Sequence, residues 1–317
     1  MQFLRRNKSR SLLGIDISAT HIHLAELTYT QGKYMLRNAA QAPRSANTEP
    51  LKTWGHPTII NELKQILSTI KPRSNRVAIA LPRNTVLCRN LELDARLSKT
   101  EIFQYLLAHA ERLFNFPAAA LVIDFAVAAP IAKESDQSIP ICCVAAKRTD
   151  VSLCQQITGK LGLNLILVDI DENALQRIAA STLALTAPST HSIAALLYCS
   201  INNYSLLIFN QQSLLHSQQE PIAAAADETA QYESISQTFI RNLSIQGFGQ
   251  AASPMTRIFL TGTLATEKLA THIQQQTAIP CEILNPFASL NFEYNQDTLT
   301  AASQFALSIG LAMRVKS

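Results

Sequence analysis

Hydrophobic and polar positions predict one order of elements twice along the chain. The first half is predicted to hold three consecutive strands, a helix and a fourth strand, at residues 11–18, 21–29, 33–40, 57–70 and 77–81. The second half repeats this order, at residues 193–199, 204–209, 213–219, 228–245 and 257–260. Such a repeat predicts two α/β domains that share one topology, with helices on both faces of each sheet.

The later elements of each half complete the two domains. In the first half they are a strand, a helix, a strand and a helix, at residues 139–145, 150–161, 165–169 and from 172 onward. In the second half they are a helix, a strand and a helix, at residues 266–277, 281–284 and 300–313. We assign residues 11–81 and 139–187 to the first domain and residues 188–317 to the second, with a hinge at residues 187–190. This plan is typical of the duplicated ribonuclease-H-like domains of the actin, Hsp70 and sugar-kinase group, which enclose a cleft.

Residues 82–138 interrupt the first half and predict a small inserted α+β subdomain. Ser98 and Glu101 form a capping box at the start of a helix, and strands are predicted on both sides, at residues 86–93 and 120–128. The helix carries a broad apolar face that consists of Ile102, Phe103, Leu106, Leu107, Ala110, Leu113 and Phe114. We expect the subdomain to lie beside the cleft.

Charge and composition narrow the class of protein. The net charge of +4 comes from a basic leader at residues 1–10: without its four basic residues, the 27 basic residues fall to 23, the number of acidic ones. A neutral body argues against nucleic-acid binding. No apolar stretch approaches the roughly 18 residues that span a bilayer, and the six cysteines form no CxxC pair. We therefore expect a cytosolic protein without structural disulfides or a metal–cysteine site.

Short motifs along the chain point to one family. The first is the loop Gly14–Thr20, Gly-Ile-Asp-Ile-Ser-Ala-Thr, and the longest is Val168–Arg177. The others are residues 77–82, 91–94, 124–125, 144–147, 241–243, 258–262, 279–280 and 285–287. In their order and spacing these segments resemble PilM, the actin-like family of type IV pilus assembly, over roughly residues 11–315. The resemblance implies an actin-like ATPase fold with an insertion placed as in the cell-division protein FtsA.

The resemblance also implies a scaffold function at the inner face of the bacterial inner membrane. PilM binds the cytosolic N-terminal peptide of PilN, a bitopic membrane protein, in a groove between the first subdomain and the insertion. Such an extended apolar peptide would bind by main-chain pairing and side-chain pockets. We expect Phe103, Leu107 and Phe114 to line this groove. Other pilus assembly proteins are further implied partners, the membrane is reached only through the partner, and the MshI component of a mannose-sensitive pilus system is an alternative identity.

ATP and Mg²⁺ are implied ligands, since actin-like proteins hold nucleotide with two phosphate-binding hairpins and a glycine turn on the adenosine side. The residues at the matching positions are Asp16, which would also be on the metal side, Ser18, Ala19, Thr20, His23, Glu172, Gly262 and Thr263.

Several of these positions depart from the family pattern. His23 replaces a lysine, Tyr198 and Ser200 replace the Asp and Gly of the second hairpin, and Thr263 replaces a glycine. A lost carboxylate removes a Mg²⁺-side oxygen, and a side chain in place of glycine obstructs the approach of phosphate to the backbone. We predict a degenerate cleft that binds nucleotide weakly or not at all. ATP binding without useful hydrolysis, and a turning-over ATPase, are the alternatives.

The other classes of function have less support. A sugar kinase or ATPase of this fold needs a catalytic Asp and intact glycine turns, which the second hairpin lacks, so no catalytic residue is predicted. Neither a GxxxxGK(S/T) nor a GxGxxG loop occurs, and His21 and His23 have no third metal ligand nearby in the sequence. We favour a scaffold; the sequence does not distinguish it from a filament-forming element.

Overall fold

The computed structural model describes residues 11–45, 57–127, 138–186, 193–201, 203–210, 213–222, 225, 227–248, 255–292 and 302–316. The basic leader 1–10 and the hinge 187–190 lie outside these ranges. The strands are β1 Ser11–Ile17, β2 His21–Thr30, β3 Lys33–Pro43, β4 Arg76–Leu81, β5 Val86–Asp94, β6 Leu121–Val127, β7 Ser138–Lys147, β8 Asn164–Ile170, β9 Ile193–Cys199, β10 Asn203–Asn210, β11 Ser213–Pro221, β12 Met255–Thr261, β13 Cys281–Ile283 and β14 Asn291–Phe292. The helices are α1 Pro57–Ile70, α2 Lys99–Ala108, α3 Ala110–Phe114, α4 Arg148–Lys160, α5 Asp171–Thr186, α6 Glu228–Ile245, α7 Glu267–Thr277 and α8 Ala306–Ala312.

Two sheets form the frame of the protein, and they share one strand order apart from the additional edge strand β14 in the first. The first has the order β14-β3-β2-β1-β4-β8, and the second has the order β11-β10-β9-β12-β13. In each sheet the first three strands in the chain pair with one another in antiparallel fashion, and the next two join in parallel. The predicted duplication is confirmed, and the fold is the actin-like one.

A shared core lies between the two sheets. It contains Leu12 of β1, Leu196 of β9, Ile178 of α5 and Leu311 of α8, all buried. Helix α8 packs on β1, β2 and α5. The approach to β1 is so close that a Cβ atom at Gly14 would lie 1.9 Å from the carbonyl oxygen of Ser308, which only glycine avoids. The two helices therefore join the domains through apolar packing.

The inserted subdomain has its own sheet, in the order β5-β7-β6. Ser98 and Glu101 form the predicted capping box at the start of α2, but the predicted single helix is divided into α2 and α3 at His109. Both helices pack on one face of the sheet, where the buried residues are Leu93, Ile102, Leu106, Ala110, Phe114, Leu121, Ile123, Ile141, Cys143 and Ala145. The opposite face is turned toward the first domain, because Val144 and Ala146 pack against the core of that domain.

Two predicted placements are wrong. The strand predicted at residues 139–145 is β7, which pairs with β5 and β6 and so belongs to the inserted subdomain, not to the first domain. The end of the chain does not remain with the second domain, because β14 pairs with β3 and α8 covers β1. Local periodicity identified these elements as strand or helix, but their partners are distant in sequence. Among the described residues, no helix has both the length and the apolar character that crossing a bilayer requires.

Candidate functional site

The two hairpins β1–β2 and β9–β10, which we expect to face the cleft, have matching hydrogen bonds in their turns. In the first hairpin, the Ser18 amide donates to the His21 carbonyl over 2.9 Å, and the Ser18 hydroxyl donates to that carbonyl and accepts from the His21 amide. In the second, Ser200 makes the same three bonds with Asn203, over 2.9, 3.2 and 3.2 Å. The duplication therefore extends to the turns that would hold phosphate in an actin-like ATPase.

Asp16 and His23 lie behind the first hairpin. The His23 Nδ1 atom is 3.3 Å from Asp16 Oδ2, and its Nε2 atom is 3.2 Å from Gln304 Oε1. The ring of Phe305 packs edge-on against the imidazole, with centroids 5.3 Å apart. His23 is fully buried by these neighbours. The side chain expected to contact phosphate is thus enclosed between β1 and the 3₁₀ turn Ala302–Phe305.

The turn of the first hairpin is held from one side by Arg44. Its guanidinium donates to the Ser18 carbonyl over 2.7 Å, and its amide donates to the Thr20 carbonyl over 2.7 Å. The Thr20 hydroxyl lies 3.0 Å from His21 Nδ1, and Ala19 is buried. Burial, with a smaller contribution from His23, lowers the pKa of His21, so a neutral imidazole is favoured there. No group of three or more His, Cys, Asp or Glu side chains within the described ranges could hold a metal.

Tyr198 fills the second hairpin where the family pattern has an acid. It is the penultimate residue of β9, two residues before Ser200, and belongs to the core between the sheets. Burial raises the pKa of Tyr198 well above its usual range, and the negative charges of Asp16 and Asp171 raise it further. The phenol is therefore neutral at physiological pH.

The glycine turn expected on the adenosine side is fixed by packing. Gly262 has φ of +99°, and a Cβ atom there would lie 2.3 Å from the Cys199 carbonyl oxygen. That same carbonyl accepts a hydrogen bond from the Leu264 amide over 3.0 Å. The next residue, Thr263, has a buried hydroxyl with no hydrogen-bond partner among the described residues. Gly262 is thus required by the contact with β9, whether or not nucleotide binds.

Glu172 takes part in a polar junction between the domains. Its carboxylate accepts from Arg83 Nε over 2.9 Å and from the hydroxyl of Ser217 on β11. The neighbouring Asp171 accepts from the Arg83 amide over 2.9 Å and from Gln219 Nε2 over 3.3 Å. Burial raises the pKa of Asp171 to about 7, although these hydrogen bonds oppose the shift. Both acids are occupied by contacts between the domains.

The motif Val168–Arg177 is explained by structure as well. Asp169 pairs with Arg177 and accepts from Asn173 Nδ2 over 3.1 Å. Arg177 Nε donates to the Gly310 carbonyl of α8 over 2.8 Å. The motif therefore ties the end of β8 to both helices of the shared core. Sequence reasoning missed Arg83 and this ion pair, for which the only signal was the density of polar residues after a strand.

A second site is an apolar groove between β8 and the inserted sheet. Its volume is about 300 Å³. The residues that line it are Leu81, Val86, Val122, Asp124, Val144, Ala146, Val151, Gln155, Leu165, Ile166, Leu167, Val168, Asp169 and Ile170. Six consecutive residues come from β8, so the groove follows the edge of that strand, whereas β6 and β7 contribute alternate residues from one face. Two exposed apolar side chains border it, Ile166 at 44% and Val122 at 38%.

Comparison with known proteins decides the family. A profile described as "Type IV pilus assembly protein PilM" matches residues 14–224 and 232–316. The chain belongs to the PilM family.

Solved structures share the fold of this PilM-family chain. A chain from a "PilM-PilN type IV pilus biogenesis complex" aligns with a TM-score of 0.75 and 19% identity, over 96% of this chain and 98% of that chain. The ethanolamine utilization protein EutJ from Carboxydothermus hydrogenoformans aligns with a TM-score of 0.50 and 8% identity, over 96% of this chain and 89% of that one. At these identities the likeness concerns the fold alone.

The three residues expected to bind the partner are not among those that line the apolar groove beside β8. Phe103 and Leu107 are 40% and 37% exposed on α2, and Phe114 is 1% exposed in the core of the inserted subdomain. The reason is strand alternation: Leu121 and Ile123 of β6 face α2 and α3, whereas the residues between and after them face the groove. In this PilM-family chain the helices cover the opposite face of the small sheet.

Proposed function

We propose that this chain is a scaffold of type IV pilus assembly, and that it binds the cytosolic N-terminal peptide of a PilN-like bitopic membrane protein in the groove beside β8. The observation that carries the proposal is the open edge of β8, which pairs with β4 on one side and has no strand on the other within the described residues. The similar structure from a PilM–PilN complex supports the choice of partner.

The groove has the two features that strand addition needs. The β8 edge offers main-chain donors and acceptors, which an extended peptide can pair. The opposite wall offers apolar side chains, including Val86, Ala146 and Val122, which lie side by side across β5, β7 and β6. Alternate side chains of a peptide strand would pack on this wall. Through this partner the chain would be held in the cytoplasm, at the inner face of the inner membrane.

The cleft does not fit Mg-ATP, in our proposal. Mg²⁺ takes oxygen ligands in a near-octahedral arrangement, and the second hairpin presents the neutral, buried phenol of Tyr198 where a carboxylate is needed. His23 is buried against Phe305 and not available to a phosphate. An ATP-binding actin-like protein is the second candidate, favoured by the matched turns at Ser18 and Ser200.

Fluorescence polarisation tests the groove, with a labelled peptide of the first twelve or so residues of a PilN-like protein from the same organism. Ile166→Glu and Val122→Glu should each weaken binding at least tenfold, because a charge would be desolvated without a partner. Ile245→Glu is the matched control: this side chain is 69% exposed on α6 of the second domain, and its change should leave binding unaltered. Undiminished binding by both groove variants would refute the proposal.

A deletion of residues 82–138 is a less suitable test. It would remove β5 and β6, the two strands that pair with β7, and leave β7 without partners. Loss of binding would then reflect misfolding as well as loss of the groove.

A further inference from the structure

The groove carries one uncompensated charge. Two acids line it, Asp124 and Asp169, and no basic residue does. Asp169 is neutralised by its ion pair with Arg177. Asp124 accepts a hydrogen bond from the Phe125 amide over 2.8 Å, and no described basic side chain forms an ion pair with it. An exposed carboxylate thus stands on an otherwise mostly apolar wall.

The basic residues closest in sequence to the groove wall are turned away from it. Lys147 follows Ala146 of the wall, but its ammonium group lies 5.6 Å from the ring centre of Phe116, on the side of the sheet that α2 and α3 cover. Arg148 donates to the carbonyls of Ala119 and Leu121, over 2.9 and 2.7 Å. Both cations are held by groups outside the groove, so the charge of Asp124 remains for a ligand.

We propose that the groove selects an extended peptide that carries a lysine or arginine, and that this cation pairs with Asp124. The inference rests on the proposed function and specifies the chemistry of the peptide. Val122 and Asp124 lie two residues apart on one face of β6. A peptide strand also presents every second side chain to one face. Along the peptide, the lysine or arginine therefore lies two or four residues from the apolar residue that packs on Val122. A glutamate or aspartate at that place in the peptide would be repelled by Asp124 and would weaken binding.

A charge-exchange experiment tests the proposal with the labelled partner peptide. Asp124→Asn should weaken binding about twofold to fivefold, as expected for an exposed ion pair. Asp124→Lys should weaken it about tenfold or more, because it places like charges together. Peptides in which each basic residue in turn is changed to glutamate should include one that binds the wild-type protein poorly and Asp124→Lys well. Raising NaCl from about 0.05 to 0.5 M should weaken wild-type binding more than that of Asp124→Asn.

Glu111→Lys is the matched control, since Glu111 is an exposed acid on α3, on the opposite side of the same subdomain. It makes the same change of charge and should leave affinity unaltered. Equal affinities for wild type, Asp124→Asn and Asp124→Lys, or tight binding by a partner peptide without any basic side chain, would overturn the proposal and leave the proposed groove intact. Failure of the wild-type protein to bind any partner peptide would overturn both.

Discussion

Tyr198 stands in the second hairpin at the position that Asp16 holds in the first. Each lies two residues before the serine that closes its turn, Ser200 and Ser18, and those serines make matching hydrogen bonds. The two turns thus share one geometry, whereas the side chain at this position is an acid in the first and a buried phenol in the second. In the degenerate cleft that we propose, the second hairpin therefore lacks an acid on the Mg²⁺ side.

Mg-ATP should therefore stabilise the protein only slightly. At about 5 mM nucleotide, a dissociation constant of roughly 1 mM gives about 1 kcal/mol of stabilisation. A thermal melt should then shift by roughly 2 °C, with MgCl₂ alone as the control. A shift of roughly 8 °C, or steady release of phosphate, would contradict the degenerate cleft.

The contact between Gly14 and α8 should tolerate no side chain. Gly14→Ala places a Cβ atom 1.9 Å from the Ser308 carbonyl oxygen, so β1 and α8 must separate. We expect a loss of about 3 kcal/mol, measured as a lowered melting temperature. Gly159→Ala is the control, because no atom lies within 4 Å of its added Cβ in α4. That change should be neutral or stabilise by up to about 1 kcal/mol; equal effects of the two substitutions would contradict the packing.

Stability should depend on pH through Asp171. Burial raises its pKa from the ordinary 3.8 to about 7, so over this interval the unfolded chain has released the proton that the folded protein retains. The free energy of unfolding of the wild-type protein, relative to that of the uncharged variant Asp171→Asn, then falls as pH rises, by up to roughly 1.4 kcal/mol per pH unit. The melting temperature of Asp171→Asn relative to wild type should increase from pH 5 to pH 8.

Asp94 provides the control for that measurement. Its hydrogen bonds with Arg96 lower its pKa to about 2, so it is ionised in both states throughout the range. The effect of Asp94→Asn on the melting temperature should be the same at pH 5 and pH 8. A constant difference for Asp171→Asn as well would show that Asp171 is ionised at both pH values.

Alanine substitutions of Phe103 and Phe114 should affect stability differently, because Phe103 lies on the surface of the inserted subdomain and Phe114 in its core. Phe114→Ala removes a ring that is 1% exposed and should cost about 3–5 kcal/mol. Phe103→Ala removes a ring that is 40% exposed on the face away from the groove, so stability should change little and peptide binding not at all. Thermal melts and the polarisation assay measure the two effects. Weaker peptide binding by Phe103→Ala would show that α2 contributes to the partner site and would contradict this prediction.

The elements could be predicted because their signals are local. The helices at residues 57–70 and 228–245 were predicted with the bounds that the structure shows, since one-sided apolar spacing marks them. The capping box at Ser98 fixed the start of α2 in the same way. The expected departures at Tyr198, Ser200 and Thr263 rest instead on the resemblance to the family, whose pattern supplies the residues for comparison.

The partners of those elements could not be predicted in the same way. The apolar pattern of β7 suits a sheet in either domain, and only its pairing with β5 and β6 shows which one it joins. Likewise, the stripe on α2 gave no sign that the groove lies on the other face of the sheet. The alternation of Leu121 with Val122 in β6 marked two faces, but which face meets the first domain is a property of tertiary packing.

The return of β14 and α8 to the first sheet has a consequence for synthesis on the ribosome. Residues 11–43 emerge early, yet the strand that pairs with β3 and the helix that covers β1 come from residues 291–312. Until that late segment is made, the nascent sheet has an open edge and an uncovered apolar face, which are features that favour aggregation. We expect fragments that stop before residue 291 to require a chaperone, and the first domain to be insoluble when expressed without α8.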